Sequence, residues 1–137
     1  MPTTRTEAPT SDRPQPAAGG RSPEQTMTLF VSCVHAGDLD GLIALYEPDA
    51  VLQPSTGDVF TGSEAIRGYL AQLLAMKPRM DVVPADVLQT GDTALVVNEW
   101  SMRGTAPDGS TIEGGGRSAD VLRRQPDGGW LVLIDHP

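Results

Sequence analysis

The sequence predicts an α+β domain in which three N-terminal helices pack against an antiparallel sheet that curls over them. Two observations carry this. Apolar residues recur at helical spacing as far as Lys77-Pro78 and alternate after it. Turn signals then punctuate the chain at Thr90-Gly91-Asp92, Pro107-Asp108-Gly109 and Gln125-Pro126-Asp127-Gly128-Gly129. Helices first and a strand meander afterwards is the α+β pattern. At 137 residues the chain is one domain with room for a core and one internal pocket.

Residues 1–21 are Thr, Pro, Ala, Ser, Gly and Arg with little that can be buried, and they read as a disordered tail before a folded domain at 22–137. Ser22-Pro23-Glu24-Gln25 starts the first helix: Ser22 caps, Pro23 occupies the first helical position, and Gln25 can close a capping box. Met27, Phe30, Val31 and Val34 form its apolar stripe, and Gly37 ends it. Asp38 caps a second helix over Leu39 to Glu47, with Leu42, Ile43 and Tyr46 inward, until Pro48 stops it. Ala50-Val51-Leu52 is a short strand, and Pro54 to Asp58 is turn-rich. Ser63 caps a third helix carrying Ile66, Tyr69, Leu70, Leu73 and Leu74. Four strands follow, at about 79–88, 93–103, 110–124 and 130–136, with bulges expected at Pro84 and at Gly114-Gly115-Gly116.

The net charge is −8, and three arginines against two acids in the first 21 residues leave the remainder near −9. Such a body repels phosphate backbones and anionic membranes, so neither nucleic acid nor membrane is an expected partner. The single Cys33 rules out an intrachain disulfide and, beside Val31 and Val34, reads as a packing residue. No apolar run reaches the length of a membrane span and no signal-type core opens the chain, which suits a soluble cytoplasmic protein. Two histidines, His35 and His136, make no metal motif with one cysteine, and the glycine runs lack a strand-to-helix context. No metal or cofactor is therefore expected.

Register decides which polar side chains meet. If Asp108-Gly109 is a two-residue turn, Pro107 pairs with Ser110, Glu99 faces Ser118 and Val97 faces Asp120. Val97, Glu99, Ser101, Ser118, Asp120 and Leu122 then share one face, and Val96, Asn98, Trp100 and Met102 the other. Two carboxylates lie within diagonal reach on the first face.

The run Ala36-Gly37-Asp38-Leu39-Asp40-Gly41-Leu42-Ile43-Ala44-Leu45-Tyr46, then Asp49-Ala50-Val51 and Phe60-Thr61-Gly62-Ser63-Glu64-Ala65-Ile66-Arg67, resembles the nuclear transport factor 2-like (NTF2-like) superfamily. The resemblance is to its ketosteroid isomerase, SnoaL-like and DUF4440 branches. Pro107-Asp108-Gly109 through Gly116-Arg117-Ser118-Ala119-Asp120-Val121-Leu122, and Gly129-Trp130 to Asp135-His136-Pro137, are similar to the DUF4440 ending. The resemblance covers nearly everything after Ser22. It implies a cone of three helices on a curved, mostly antiparallel sheet enclosing a pocket, while this superfamily hosts many reactions and pure binding modules.

By that resemblance the face bearing Glu99 and Asp120 lines the pocket, and Trp130, Val132, Ile134 and His136 line it from the last strand. Asp120 matches the acid that ketosteroid isomerases keep protonated to donate to an oxyanion. Glu99, Asp120 and His136 are thus the expected catalytic set, a neutral acid as donor and a second carboxylate or an imidazole to move a proton. Phe30, Tyr46, Gln53, Val97, Ser101, Ser118 and Leu122 complete the expected lining. Each polar candidate also has a structural role open to it: Glu99 as an ion pair with Arg117, Asp120 as an acceptor of backbone N–H groups, His136 as a fraying terminus and Tyr46 as core. The isomerase tyrosine falls on Phe30 and its catalytic carboxylate on Gln53 or Pro54, so the resemblance does not extend to steroid isomerisation by that route. The opposite face, with Trp100, is expected to form a homodimer interface. Two readings result: a cofactor-independent acid/base enzyme of the cyclase, isomerase or hydrolase type acting on a small hydrophobic carbonyl or epoxide compound, with secondary metabolism as one setting, or a non-catalytic dimer binding a small hydrophobic ligand or a protein partner.

Overall fold

A computed structural model describes residues 18–137, so most of the expected tail lies outside the described residues. Helix α1 spans Pro23–Ala36, with the Ser22 hydroxyl accepting from the Gln25 N–H and Gly37 closing it at φ 68°. Helix α2 is only Leu39–Ile43, capped by Asp38. The expected nine-residue helix is cut short because Tyr46 already belongs to strand β1 (Tyr46–Leu52). The Leu45 carbonyl takes the Val132 N–H, so sheet pairing replaces the next helical turn. Strand β2 (Phe60–Thr61) and helix α3 (Ser63–Ala75) follow, Gly62 rather than Ser63 standing at the helix's N-cap position. The chain closes with β3 (Arg79–Thr90), β4 (Thr93–Thr105), β5 (Thr111–Arg124) and β6 (Trp130–His136).

The six strands form one curved sheet in the order β2-β1-β6-β5-β4-β3, antiparallel except where β1 runs parallel to β6. The helices cover its concave side, where Met27, Leu42, Ile66 and Leu70 meet Val96, Leu122 and Val132 in the core. No helix among the described residues is long and apolar enough to cross a membrane.

The β4–β5 register differs from the expected one by one residue. Ala106 donates to the Ser110 carbonyl at 2.8 Å, and Gly109, at φ 89°, donates to Ala106 at 2.9 Å, so the loop holds three residues, not two. Glu99 accordingly pairs with Arg117, Asn98 with Ser118, and Val96 with Asp120. A one-residue slip turns every side chain of a strand to the other face. Val96, Asn98, Trp100 and Met102, expected outside, face the helices; Val97, Glu99 and Ser101, expected inside, face away.

The bulge expected at Pro84 is present, between Pro84 and Asp86. The glycine run 114–116 is not a bulge, since β4 and β5 pair without interruption beside it. Its concave face is instead bare for the Trp100 ring: a Cβ on Gly114 would lie 4.0 Å from Trp100 Cη2, and one on Gly116 3.9 Å from Nε1. The break comes in β6, where Val121 pairs with Ile134 but Leu122 with Val132, leaving Leu133 as an extra residue. Beyond it the side chains change faces.

Candidate active site

A cavity of about 180 Å³ lies between the helices and the concave face of the sheet. Its wall is mostly apolar: Phe30 from α1, Tyr69 and Leu73 from α3, and Met80, Trp100 and Met102 from the outer strands. All four methionines of the described residues, Met27, Met76, Met80 and Met102, line it. Thioether side chains are adaptable and favour contact with aromatic rings, which suits a ring-containing occupant.

The polar groups gather at one end. Asp120 on β5 stands directly opposite Asp135 on β6, and both line the cavity. Asp120 is 5% exposed. Asn98 Nδ2 donates to its Oδ2 at 3.0 Å and to Ser118 Oγ at 3.2 Å, while Asp120 Oδ1 is buried and meets no donor. Burial, then the charge on Asp135 and the hydrogen bond between the two side chains, push the Asp120 carboxyl up to about 9. The shift favours the protonated form of Asp120, whose unpartnered Oδ1 is then a donor buried at this end of the cavity.

Tyr46 approaches from the start of β1 and donates from Oη to Asp135 Oδ2 at 2.6 Å. Burial first, and then the neighbouring Asp135, raise its hydroxyl well above the usual tyrosine range, so it remains a donor. Tyr69, its ring tilted against Phe60 at 5.2 Å between centroids, is raised for the same two reasons in the same order. The cluster Asp120–Asp135–Tyr46 sets two facing carboxyl groups and one phenol in a mostly apolar cavity.

Of the expected catalytic set, only Asp120 is in the cavity. Glu99 is 65% exposed on the convex face, with Oε2 3.5 Å from Arg117 Nη1. His136 is exposed past the Leu133 bulge, its Nδ1 2.8 Å from the Gln53 carbonyl. Phe30, Tyr46, Ser118 and Val132 line the cavity as expected, whereas Gln53, Val97, Ser101, Leu122, Trp130 and Ile134 do not. Leu122 and Trp130 are core residues, and Ile134 is 43% exposed. Asp135 is the residue that the sequence reading missed. The signal for it was slight, a carboxylate one position from His136 that alternation alone assigns to the outer face. Among the described residues no three His, Cys, Asp or Glu side chains are grouped to hold a metal ion.

The family model for the SnoaL-like domain matches residues 27–132. The chain belongs to the SnoaL-like domain family. Its fold is that of the NTF2-like superfamily, shared with an NTF2-like protein from Salmonella enterica at 18% identity, covering 80% of this chain and 82% of that one with a TM-score of 0.71. A ketosteroid isomerase-like protein from Erwinia carotovora is 19% identical over 82% of this chain and 89% of that one, TM-score 0.73. A candidate dehydratase of the NTF2-like family from Streptomyces avermitilis is 23% identical over 80% and 88%, TM-score 0.66. No curated protein matches the sequence. The SnoaL-like assignment covers the cavity-lining segments from Met27 to Val132, and Asp135 lies just beyond the matched span.

Proposed function

We propose that this SnoaL-like domain is a cofactor-independent acid/base enzyme acting on a small hydrophobic carbonyl or epoxide compound, by isomerisation, cyclisation or hydrolysis. The observation that carries it is the buried Asp120 directly opposite Asp135 at the end of a mostly apolar cavity, a setting that raises the Asp120 carboxyl. Asp120 donates its proton to the carbonyl or epoxide oxygen as negative charge develops there, in a mostly apolar site where a buried acid is the stronger donor. Asp135, oriented by Tyr46, takes a proton from the adjacent carbon or from an attacking water. Glu99 and His136 have no part in this scheme, since neither reaches the cavity. The names of the isomerase-like and dehydratase-like structural neighbours are compatible with proton-transfer chemistry of this class.

The test is exchange of ketone α-protons in deuterated water, followed by NMR with 1-tetralone as probe. The enzyme should accelerate exchange, and Asp120→Asn and Asp135→Asn should each reduce it by 10²-fold or more, the usual scale for a general acid or base. Exchange at the buffer rate, together with no acceleration of styrene oxide hydrolysis, would favour the alternative reading of a binding module. Phe30 lends that alternative weight, because it puts an apolar ring where the isomerases carry a tyrosine.

We also place a homodimer in this proposal. Leu88 and Val83 are 64% and 62% exposed on the convex face, which Ile134 extends towards β6. Pairing of two such faces would bury them. Nucleic acid and membrane remain outside the proposal on charge grounds, and the cytoplasm is the compartment that the single thiol suits.

A further inference from the structure

Met80 and Met102 line the cavity, and they also line a polar groove of about 390 Å³ that holds His35, Arg79 and Glu113. The two thioethers therefore stand between cavity and groove. Met80 is the second residue of β3, an edge strand of the sheet. Its backbone N–H donates to His35 Nε2 at 3.0 Å, from the last turn of α1. Among the described residues this is the one hydrogen bond that joins α1 to β3.

The acceptor is of a kind that pH can remove. A neutral imidazole carries one hydrogen and keeps a lone pair on its other ring nitrogen. Because Nε2 accepts from Met80, Nδ1 holds the hydrogen, and a second proton has only Nε2 to go to. Proton and hydrogen bond thus compete for one lone pair, and imidazoles change charge between pH 8 and 5. Four charged groups share the groove with His35. Asp81 on β3 and Glu113 on β5 attract the charge that the second proton brings, while Arg79 on β3 and Arg103 on β4 repel it. Arg103 and Glu113 are themselves an ion pair, so the groove holds two groups of each sign and does not bar the proton. The carbonyl end of α1 attracts it.

We infer that His35 is a pH-operated latch on the cavity: when neutral it holds the start of β3, and with it Met80, in the wall, and when protonated it releases the Met80 N–H and the cavity opens into the groove. His35 is a positioning residue that acts through Met80. The latch does not rest on the chemistry proposed for Asp120 and Asp135.

Two variants separate the acceptor from its titration. His35→Gln supplies an amide oxygen that accepts at any pH, and His35→Ala supplies none. Amide exchange at Met80, followed by NMR and expressed relative to an unprotected chain, reads the latch. Wild-type protection should be about fivefold or more lower at pH 5 than at pH 7.5, the scale of one lost hydrogen bond. It should be equal at both in His35→Gln, and in His35→Ala as low at pH 7.5 as in the wild type at pH 5. A general loosening is not the cause, since the Asp120 titration strengthens the fold towards acid. Hydrogen peroxide reads the opening. Met80 sulfoxide, followed by mass spectrometry, should form about threefold or more faster at pH 5 than at pH 7.5 in the wild type and equally fast in His35→Gln, with the buried Met27 as internal control. Constant Met80 protection in the wild type, or a loss that persists in His35→Gln, overturns the latch. Lost protection without faster Met80 oxidation overturns the opening into the groove. If Met80 behaves as expected while ketone α-proton exchange is not accelerated, the latch stands and the acid/base reading falls.

Discussion

Asp120 and Asp135 are cross-strand partners on adjacent strands, and both point into the same apolar cavity. Like charges directly opposite one another repel, and the apolar lining screens them poorly. The pair is tolerated because it holds a proton. Asn98 and Tyr46 divide the remaining acceptor capacity, one donating to Asp120 and the other to Asp135. Stability is thereby exchanged for a proton kept in reach of a ligand.

That exchange has a pH signature. The unfolded chain releases the Asp120 proton near the ordinary aspartate value of about 3.9, while the folded chain retains it up to about 9. The group's contribution to stability is therefore complete below about pH 3.9, is lost as pH rises, and stops changing above about 9. Between pH 5 and 8 the loss is on the order of 4 kcal/mol, at 1.36 kcal/mol per unit. Asp120→Asn removes the titration while its amide can accept from Asn98 and donate to Asp135. Urea denaturation from pH 5 to 8 should show the wild type weakening and the variant unaffected by this group. A wild type as stable at pH 8 as at pH 5 would mean that Asp120 is ionised in the fold.

Most of the fold was legible in the sequence, because helix caps and turn residues act locally. Ser22, Pro23 and Gly37 mark the ends of α1 without reference to anything distant. Faces were harder to read, since they depend on counts of one. Asp108-Gly109 is as good a two-residue turn as it is the end of a three-residue loop, and the choice moves Glu99 out and Trp100 in. Leu133 carries no mark of a bulge. Its insertion is forced by β6 pairing with β5 on one side and β1 on the other, and it alone brings Asp135 to Asp120. Asp120 was found because family wording placed it independently of the turn.

The segment ahead of α1 is joined to the sheet. Gly20 accepts the Trp130 N–H at 3.0 Å and donates to Thr26 Oγ1 at 3.0 Å, and that hydroxyl donates to the Trp130 carbonyl at 2.8 Å. A Cβ on Gly19 would fall 1.9 Å from the Trp130 carbonyl oxygen, so only glycine lets the chain lie there. Deleting residues 1–21 opens this buried ring and should lower the melting temperature by about 5 °C or more, at roughly 1 kcal/mol per lost hydrogen bond. A deletion ending at residue 17 is the control, and equal melting temperatures for the two deletions would show that the contact adds nothing.

The convex face gives a test of assembly that leaves the cavity untouched. Ile134 lies there, paired with Val121 and 43% exposed in the single chain. A charge at an exposed position changes monomer stability by no more than about 0.5 kcal/mol, whereas the same charge in an apolar interface has no partner. Ile134→Glu should leave the far-ultraviolet dichroism unchanged and reduce the mass measured by light scattering from two chains to one. A wild type of one-chain mass at 100 μM would remove the dimer from the proposal.

Tyr46 separates binding from proton transfer. Its hydroxyl remains protonated across the working range, held well above the usual value by burial and by Asp135, and its one polar contact among the described residues is with Asp135 Oδ2. Tyr46→Phe preserves the ring in the core and takes from Asp135 the phenol that fixes its Oδ2, at a loss of about 1–3 kcal/mol in unfolding free energy. Asp120 keeps its contact with Asn98, so ketone affinity should stay within about threefold of wild type. Asp135 is no longer held in one orientation, and a misdirected base loses rate with little loss of binding. Ketone α-proton exchange should accordingly fall by about tenfold or more at saturating 1-tetralone. A variant as stable as the wild type that exchanges protons equally fast would show that Tyr46 only fills space and that Asp135 finds its orientation elsewhere.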